Sequence, residues 1–364
     1  MTTTSGIPTS APGRLGDSTM DLGSDPRSDP RMIAALAPFG LDKASPPPPV
    51  GCASSREEQL AYVATGETDF EKVFAALVTD LPAIDGVGHS TETITGFDGN
   101  DIALYISRPL DRTGALPGVL HMHGGAMVSL SAAGPGYVML RDTIAQTGVV
   151  IIGVEFRNGG GALGPYPYPA GLNDCTAALR WVHEDRNALG ISTLTLAGES
   201  GGGNLSLATT LKAKRDGCIQ MIDGVCAFVP YISGMYGRPK SELLSELPSL
   251  VENDGYFMSC ADSDVNACVY DPGGQHATDP LCWPYHATVD ELAGLPPHLI
   301  SVNELDLLRD EGVAYYQKLK RAGVAASLRT VPGACHAADV MLPAHMPDAY
   351  QATVTSLHDF AASL

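Results

Sequence analysis

Six short apolar runs separated by helical stretches constrain this chain more than any other feature. They are GVLHMH (118–123), VVIIGVEF (149–156), TLTLAG (193–198), GVCAFVP (224–230), HLISVNE (298–304) and SLRTVPG (327–333). Short apolar runs rich in β-branched residues belong to strands buried on both faces. Helical patterns between them fit near 137–146, 171–189, 204–215, 309–322 and 347–362. That rhythm is the one of a parallel sheet with helices on both sides. Two earlier stretches, TETITGF and DIALYISRP, alternate like an antiparallel hairpin turning at Asp98-Gly99-Asn100. The expected fold is α/β, with an open eight-stranded, mostly parallel sheet covered by helices on both faces.

Material outside this rhythm reads as a cap. Residues 1 to about 30 are rich in Ser, Thr, Gly, Pro and Asp and resemble a loosely draped arm. A short helix over Pro30–Leu41 and a longer one over Ser55–Leu81 precede the first strand, so they stand outside the sheet alternation. A second interruption, Ser233 to Pro296, contains a helical piece at Ser241–Val251 and many turn residues. The expected organisation is an N-terminal arm with cap helices (1–90), the first part of the core (91–232), a cap insertion (233–296) and the second part of the core (297–364).

Composition excludes several function classes. The 22 basic and 41 acidic residues leave a net charge of −19, which repels phosphate backbones, so nucleic acid is a poor partner. No run of 18 apolar residues occurs, so no membrane-spanning helix is expected. The first 20 residues lack the basic and apolar regions of a signal peptide. The eight cysteines are scattered, without a C-x-x-C pair, and read as free thiols in a reducing, cytoplasmic compartment.

The chemistry concentrates in three places. Gly198-Glu199-Ser200-Gly201-Gly202 follows the strand TLTLAG and precedes a helical pattern. With 40 glycines in the chain, roughly 0.3 chance occurrences of G-x-S-x-G are expected, so the motif alone says little. Its strand-to-helix setting changes that. There a serine takes a strained turn, and the helix N-terminus favours negative charge beside it. His123-Gly124-Gly125-Ala126-Met127 ends the third strand, where small residues let backbone N–H groups converge on a developing oxyanion. Gly124, Gly125, Ala126 and Gly201 are the candidate donors. His121 and His123 share a strand face and could suggest a metal pair, but no third ligand presents itself at a sensible spacing. His123 is better read as a brace for the loop.

A nucleophilic serine needs a base and an orienting acid. Of ten histidines, only His336 sits in a loop directly after the last expected strand. The segment VNELDLLRDEG (302–312) offers Glu304, Asp306, Asp310 and Glu311 as the acid. Asp306 lies just past the strand end and is the choice. Glu304 is the competitor on the same face, while Asp310 and Glu311 fall where they would serve a helix N-terminus. The order Ser…Asp…His matches an α/β-hydrolase.

With these residues in place, the chain resembles the hormone-sensitive-lipase-like branch of α/β-hydrolases, the bacterial family IV carboxylesterases. HGGAM stands for the family's HGGGF/M, GESGGGNL for GDSAGGNL, ELDLLRDEG for DPLRDEG and PYPAGLNDC for PFPAALDDC, over roughly residues 91–364. Ala126 replaces the third glycine, Ala337 the glycine after the histidine, and EFRNGGG the family's YRLAPE. The resemblance implies a serine carboxylesterase for short-chain acyl or small aromatic esters. It implies catalysis by Ser200, His336 and Asp306 through an acyl-enzyme, without metal or organic cofactor. The expected partner is a small-molecule ester; a homodimer is left open. An amidase or lactonase on the same triad, and a non-catalytic small-molecule binder, are the alternatives.

Overall fold

Alternation within the buried runs decides which side chain faces which layer. The computed structural model describes residues 11–364 and contains one eight-stranded sheet. Its strands are β1 (Val87–Thr95), β2 (Asp101–Pro109), β3 (Leu116–Met122), β4 (Val150–Val154), β5 (Ile191–Glu199), β6 (Gly224–Phe228), β7 (His298–Asn303) and β8 (Ala326–Val331). They lie in the order β1-β2-β4-β3-β5-β6-β7-β8. β2 pairs antiparallel with both β1 and β4, and the remaining pairs are parallel, so β2 alone runs against the others. Leu120, Ile152, Leu196, Ala227 and Ile300 face one layer, and Val119, Ile151, Ala197, Cys226 and Leu299 the other. Both sets are buried, as a sheet covered on both sides requires.

The helices are α1 (Pro30–Leu36), α2 (Arg56–Val78), α3 (Pro135–Gln146), α4 (Ala170–Glu184), α5 (Gly201–Arg215), α6 (Lys240–Glu246), α7 (Ser249–Glu252), α8 (Cys260–Tyr270), α9 (Val289–Leu292), α10 (Arg309–Arg321), α11 (Ala338–Met341) and α12 (Pro347–Ala362). α3 and α12 pack on one face of the sheet, and α4, α5 and α10 on the other. α2 starts where a capping box forms. The Ser55 hydroxyl accepts the Glu58 N–H, and the Glu58 carboxylate accepts the Ser55 N–H.

Two expectations about the cap material change. Residues 1–10 of the expected arm lie outside the described residues, but 11–29 are not loosely draped. Leu22 is fully buried, and Arg27 pairs with Asp25 and with Glu252, which also holds Arg309. The single helix expected over Ser241–Val251 is two helices, α6 and α7, broken at Pro248, and α8 follows them. Its short sequence CADSDVNACVY has little periodicity to announce it, although the Ser259 side chain caps it by accepting the Asp262 N–H.

Two of the eight cysteines are not free. Cys52, before α2, and Cys268, in α8, form a disulfide with Cα atoms 5.6 Å apart. It joins positions 216 residues apart, a separation that scattered spacing in the sequence gives no means of pairing. The inference of a reducing compartment from cysteine spacing therefore loses its support. Closing so long a loop stabilises the fold by about 5 kcal/mol in the chain-entropy picture. The other six cysteines are buried thiols. Denatured protein should therefore titrate six thiols with a disulfide-exchange reagent before reduction and eight after; eight in both cases would contradict the bridge.

Glu311 corrects another expectation. It lies in the first turn of α10 yet is fully buried, and its Oε2 accepts the N–H groups of Ile232 and Ser233, both at 2.7 Å, and the Tyr236 hydroxyl at 3.1 Å. It thus ties the chain entering 233–296 to the core. Burial pushes its carboxyl up to about 8 from an ordinary 4.5. Between those values the folded chain keeps a proton that the unfolded chain has released, so this group makes stability fall as pH rises. Glu311→Gln should flatten the decline in urea stability between about pH 6.5 and 8 relative to the wild type. An unchanged slope would contradict this account of the group.

Candidate active site

The turn between β5 and α5 exists because two backbones cross with no room for side chains. A methyl group on Gly202 would sit 1.9 Å from the Met122 carbonyl oxygen, and one on Gly198 2.4 Å from the Gly202 carbonyl. Between them Ser200 is forced to φ 57° and ψ −119°, a region that L-residues avoid. It caps α5, so the helix's first N–H groups and positive end lie beside its hydroxyl.

The His123-to-Leu130 turn lies against this elbow. Gly125 has φ 99°, and Ala126, Met127 and Leu130 are also left-handed, at 53°, 60° and 73°. Each non-glycine residue there costs about 1–2 kcal/mol. Ala126 thus stands in a conformation that suits the family's glycine, but its N–H is retained. A methyl group on Gly201 would be 2.8 Å from the Ala126 nitrogen, so only glycine allows this approach. Among the described residues, the N–H groups of Gly125 and Ala126 have no protein acceptor.

Gly124 is different, and it corrects the candidate donor set. Its N–H is held by Glu199 Oε1 at 2.6 Å, with the Tyr137 hydroxyl at 3.1 Å, so it is not available to an oxyanion. The other oxygen of Glu199 meets His121 Nε2 at 2.9 Å. His123 Nδ1 donates to the Gly124 carbonyl at 2.7 Å, and its ring stacks on Phe156 at 4.2 Å. Burial holds the His123 imidazole down to about 4, so it is neutral at neutral pH. The two histidines thus bond different partners, a carboxylate at the end of β5 and a loop carbonyl. Among the described residues, the one cluster of three ligand-type side chains is Cys52, Asp264 and Cys268, with its sulfurs joined in the disulfide.

His336 follows β8, in a loop fixed from several sides. Asn303 Nδ2 donates to the Cys335 carbonyl, the Asp29 N–H to the Gly333 carbonyl, and the Cys335 N–H to Met32 Sδ. The N-terminal segment therefore braces this loop. His336 Nδ1 lies 2.9 Å from Asp306 Oδ2, and the other Asp306 oxygen accepts the Leu308 N–H at 2.9 Å. Both side chains are buried. Glu304 turns elsewhere: its Oε2 accepts the Gly333 N–H at 2.8 Å. Asp310 accepts the Ser249 N–H and pairs with Arg309. Ala337, where the family has glycine, is left-handed at φ 54°.

Ser200, Gly125, Ala126 and His336 open on one cavity of about 320 Å³. Phe70 and Phe74 of α2, Phe257, and Met341 of α11 give it an apolar wall. α2 and α8 both contribute to it, the latter with Asp262, whose carboxylate accepts the Tyr62 hydroxyl. Glu67 of α2 also reaches the cavity edge. Neither Glu67 nor Glu199 carries a signal in the sequence. An acid within a helical stretch reads as a solvated charge, and the acid inside G-x-S-x-G carries no signal of its own.

Comparison with known proteins fits this geometry. The α/β-hydrolase-fold family matches residues 119–340. Carboxylesterase NlhH of Mycobacterium tuberculosis (strain CDC 1551 / Oshkosh) is 33% identical over 254 residues, covering 67% of this chain and 74% of its own. The solved structure of brefeldin A esterase, a bacterial homologue of human hormone-sensitive lipase, matches with a TM-score of 0.95 at 46% identity, over 97% of this chain and 98% of that one. Esterase Est22 matches with a TM-score of 0.83 at 37% identity, over 94% and 99%. The chain is accordingly a carboxylic ester hydrolase of the α/β-hydrolase fold and belongs to its hormone-sensitive-lipase-like branch.

Proposed function

We propose that this esterase cleaves short-chain acyl or small aromatic esters through an acyl-enzyme formed on Ser200. The carrying observation is that His336, hydrogen-bonded to the buried Asp306, opens on the same cavity as the strained Ser200 and the unpaired Gly125 and Ala126 N–H groups. His336 Nε2 takes the Ser200 proton as Oγ attacks the ester carbonyl. Asp306 keeps the proton of the imidazole on Nδ1 and stabilises the imidazolium that forms. The N–H groups of Gly125, Ala126 and Gly201 meet the oxyanion, at the positive end of α5. His336 then gives its proton to the leaving alcohol, and water repeats the cycle on the acyl-enzyme. All steps use side chains and backbone of this chain, with no further group required.

Size supports the substrate class. A space of about 320 Å³ lies at the small end of ligand cavities, which run from ~300 to ~1,000 Å³. Across p-nitrophenyl esters of increasing acyl length, kcat/KM should be highest for the short chains and fall steeply by decanoate. A maximum at long chains would overturn this substrate assignment.

The carboxylates of 302–312 separate the roles sharply. Asp306→Asn should lower kcat by on the order of 10⁴, because an amide favours the wrong imidazole tautomer. Glu304→Gln should cost about tenfold at most, since Glu304 only steadies the Gly333 turn. Steady-state hydrolysis of p-nitrophenyl butyrate measures both. A larger loss from Glu304→Gln than from Asp306→Asn would sink the assignment of the acid.

A further inference from the structure

The segment EFRNGGG (155–161), where the chain departs from its family, packs directly on the oxyanion turn. The Gly159 N–H donates to the Met127 carbonyl at 2.9 Å and the Gly160 N–H to the Val128 carbonyl at 3.0 Å. Asn158 Nδ2 donates to the Leu130 carbonyl at 2.7 Å. From the opposite side, Glu67 of α2 reaches in with both oxygens. Oε1 accepts the Leu130 N–H and Oε2 the Ala162 N–H, each at 2.7 Å, and the side chain is buried.

The three glycines make this approach possible. A methyl group on Gly161, which has φ 60°, would meet the Glu67 carboxylate at 2.6–2.8 Å. One on Gly160 would press on Val63 Cγ1 at 3.1 Å, and one on Gly159 on Val128 Cγ1 at 3.1 Å. α2 and the oxyanion turn therefore meet across a strip of bare backbone. The turn itself holds three non-glycine residues in left-handed conformations, and these persist only where the surroundings over-determine them. A carboxylate accepting a backbone N–H is one of the stronger neutral-to-charged hydrogen bonds available for that purpose.

We propose that Glu67 is a positioning residue for the oxyanion hole. Through this one carboxylate the cap helix α2 holds the turn that presents the Gly125 and Ala126 N–H groups, so the hole is complete only with α2 in place. The inference rests on the esterase reading above. Glutamine at 67 keeps the shape but supplies one acceptor oxygen in place of two, so an amide N–H faces one of the backbone N–H groups. The turn then loses part of its hold while the apolar wall stays.

The test compares two ligands on the full chain. An aryl trifluoromethyl ketone adds to Ser200 and places an oxyanion in the hole; an aryl alkyl ether of matching size fills the cavity without one. Glu67→Gln should lower kcat for p-nitrophenyl butyrate by on the order of 10–100-fold, below the cost of deleting an oxyanion donor outright. KM should stay within about threefold. The ketone's inhibition constant should rise by a factor similar to the kcat loss, the ether's should hold, and the pH profile should be unmoved. Equal weakening of ketone and ether, or no change in either, overturns the proposal. Should Glu67→Gln fail to fold, Gly161→Ala presses on the same carboxylate from the loop side and carries the same two-ligand readout. A wild-type protein inert to both ester and ketone would instead defeat the esterase reading.

Discussion

The site depends first on a backbone collision that glycine averts. β3 ends where α5 begins, and Gly202 passes the Met122 carbonyl so closely that no side chain fits. That crossing holds Ser200 at positive φ, sets α5's N-terminus beside it, and brings Gly201 against Ala126. Strain of this kind survives only inside a rigid frame, and the doubly covered sheet supplies it. The buried alternation along β3 and β5 is thus a condition for the elbow and not merely a core.

Around the elbow, carboxylates that accept backbone N–H groups do the work of organising loops. Glu199 holds Gly124, Glu67 holds Leu130 and Ala162, and Glu304 holds Gly333. Asp306 holds Leu308 and meets His336 Nδ1, while Glu311, which burial keeps protonated at neutral pH, holds Ile232 and Ser233 as a neutral acid. In a chain with 41 acids against 22 bases, a share of that excess is internal and structural. Its strength comes from geometry and burial, since a carboxylate with well-placed N–H donors needs no cation to be satisfied.

Much of this was legible from residue order, and the reasons differ by element. The central strands announced themselves because they are apolar and bounded by turn residues, whereas the more exposed β1 showed only through the alternation of its hairpin. α10 and α12 were legible because an apolar stripe marks their length, and Pro347 marks the start of α12. α8 and the break at Pro248 were not, because α6, α7 and α8 are short and carry little apolar periodicity. The Cys52–Cys268 bridge depends on a chance of proximity across 216 residues, which spacing does not encode. Likewise nothing in the sequence marks Glu311 as buried, since a charge in a first turn ordinarily faces water. Nor does a glycine string reveal which N–H group a distant acid will claim, so in sequence Gly124 looks as available as Gly125.

The central claim is that Ser200, and no other serine, is the nucleophile that the elbow activates. Reaction with a fluorophosphonate followed by peptide mass spectrometry tests it most directly, because phosphonylation needs the serine, the base and the oxyanion donors together. The account predicts one covalent adduct per chain, on the peptide carrying Ser200, abolished by Ser200→Ala and strongly slowed by His336→Ala. An adduct on another residue, or labelling that persists in the Ser200→Ala protein, would contradict it.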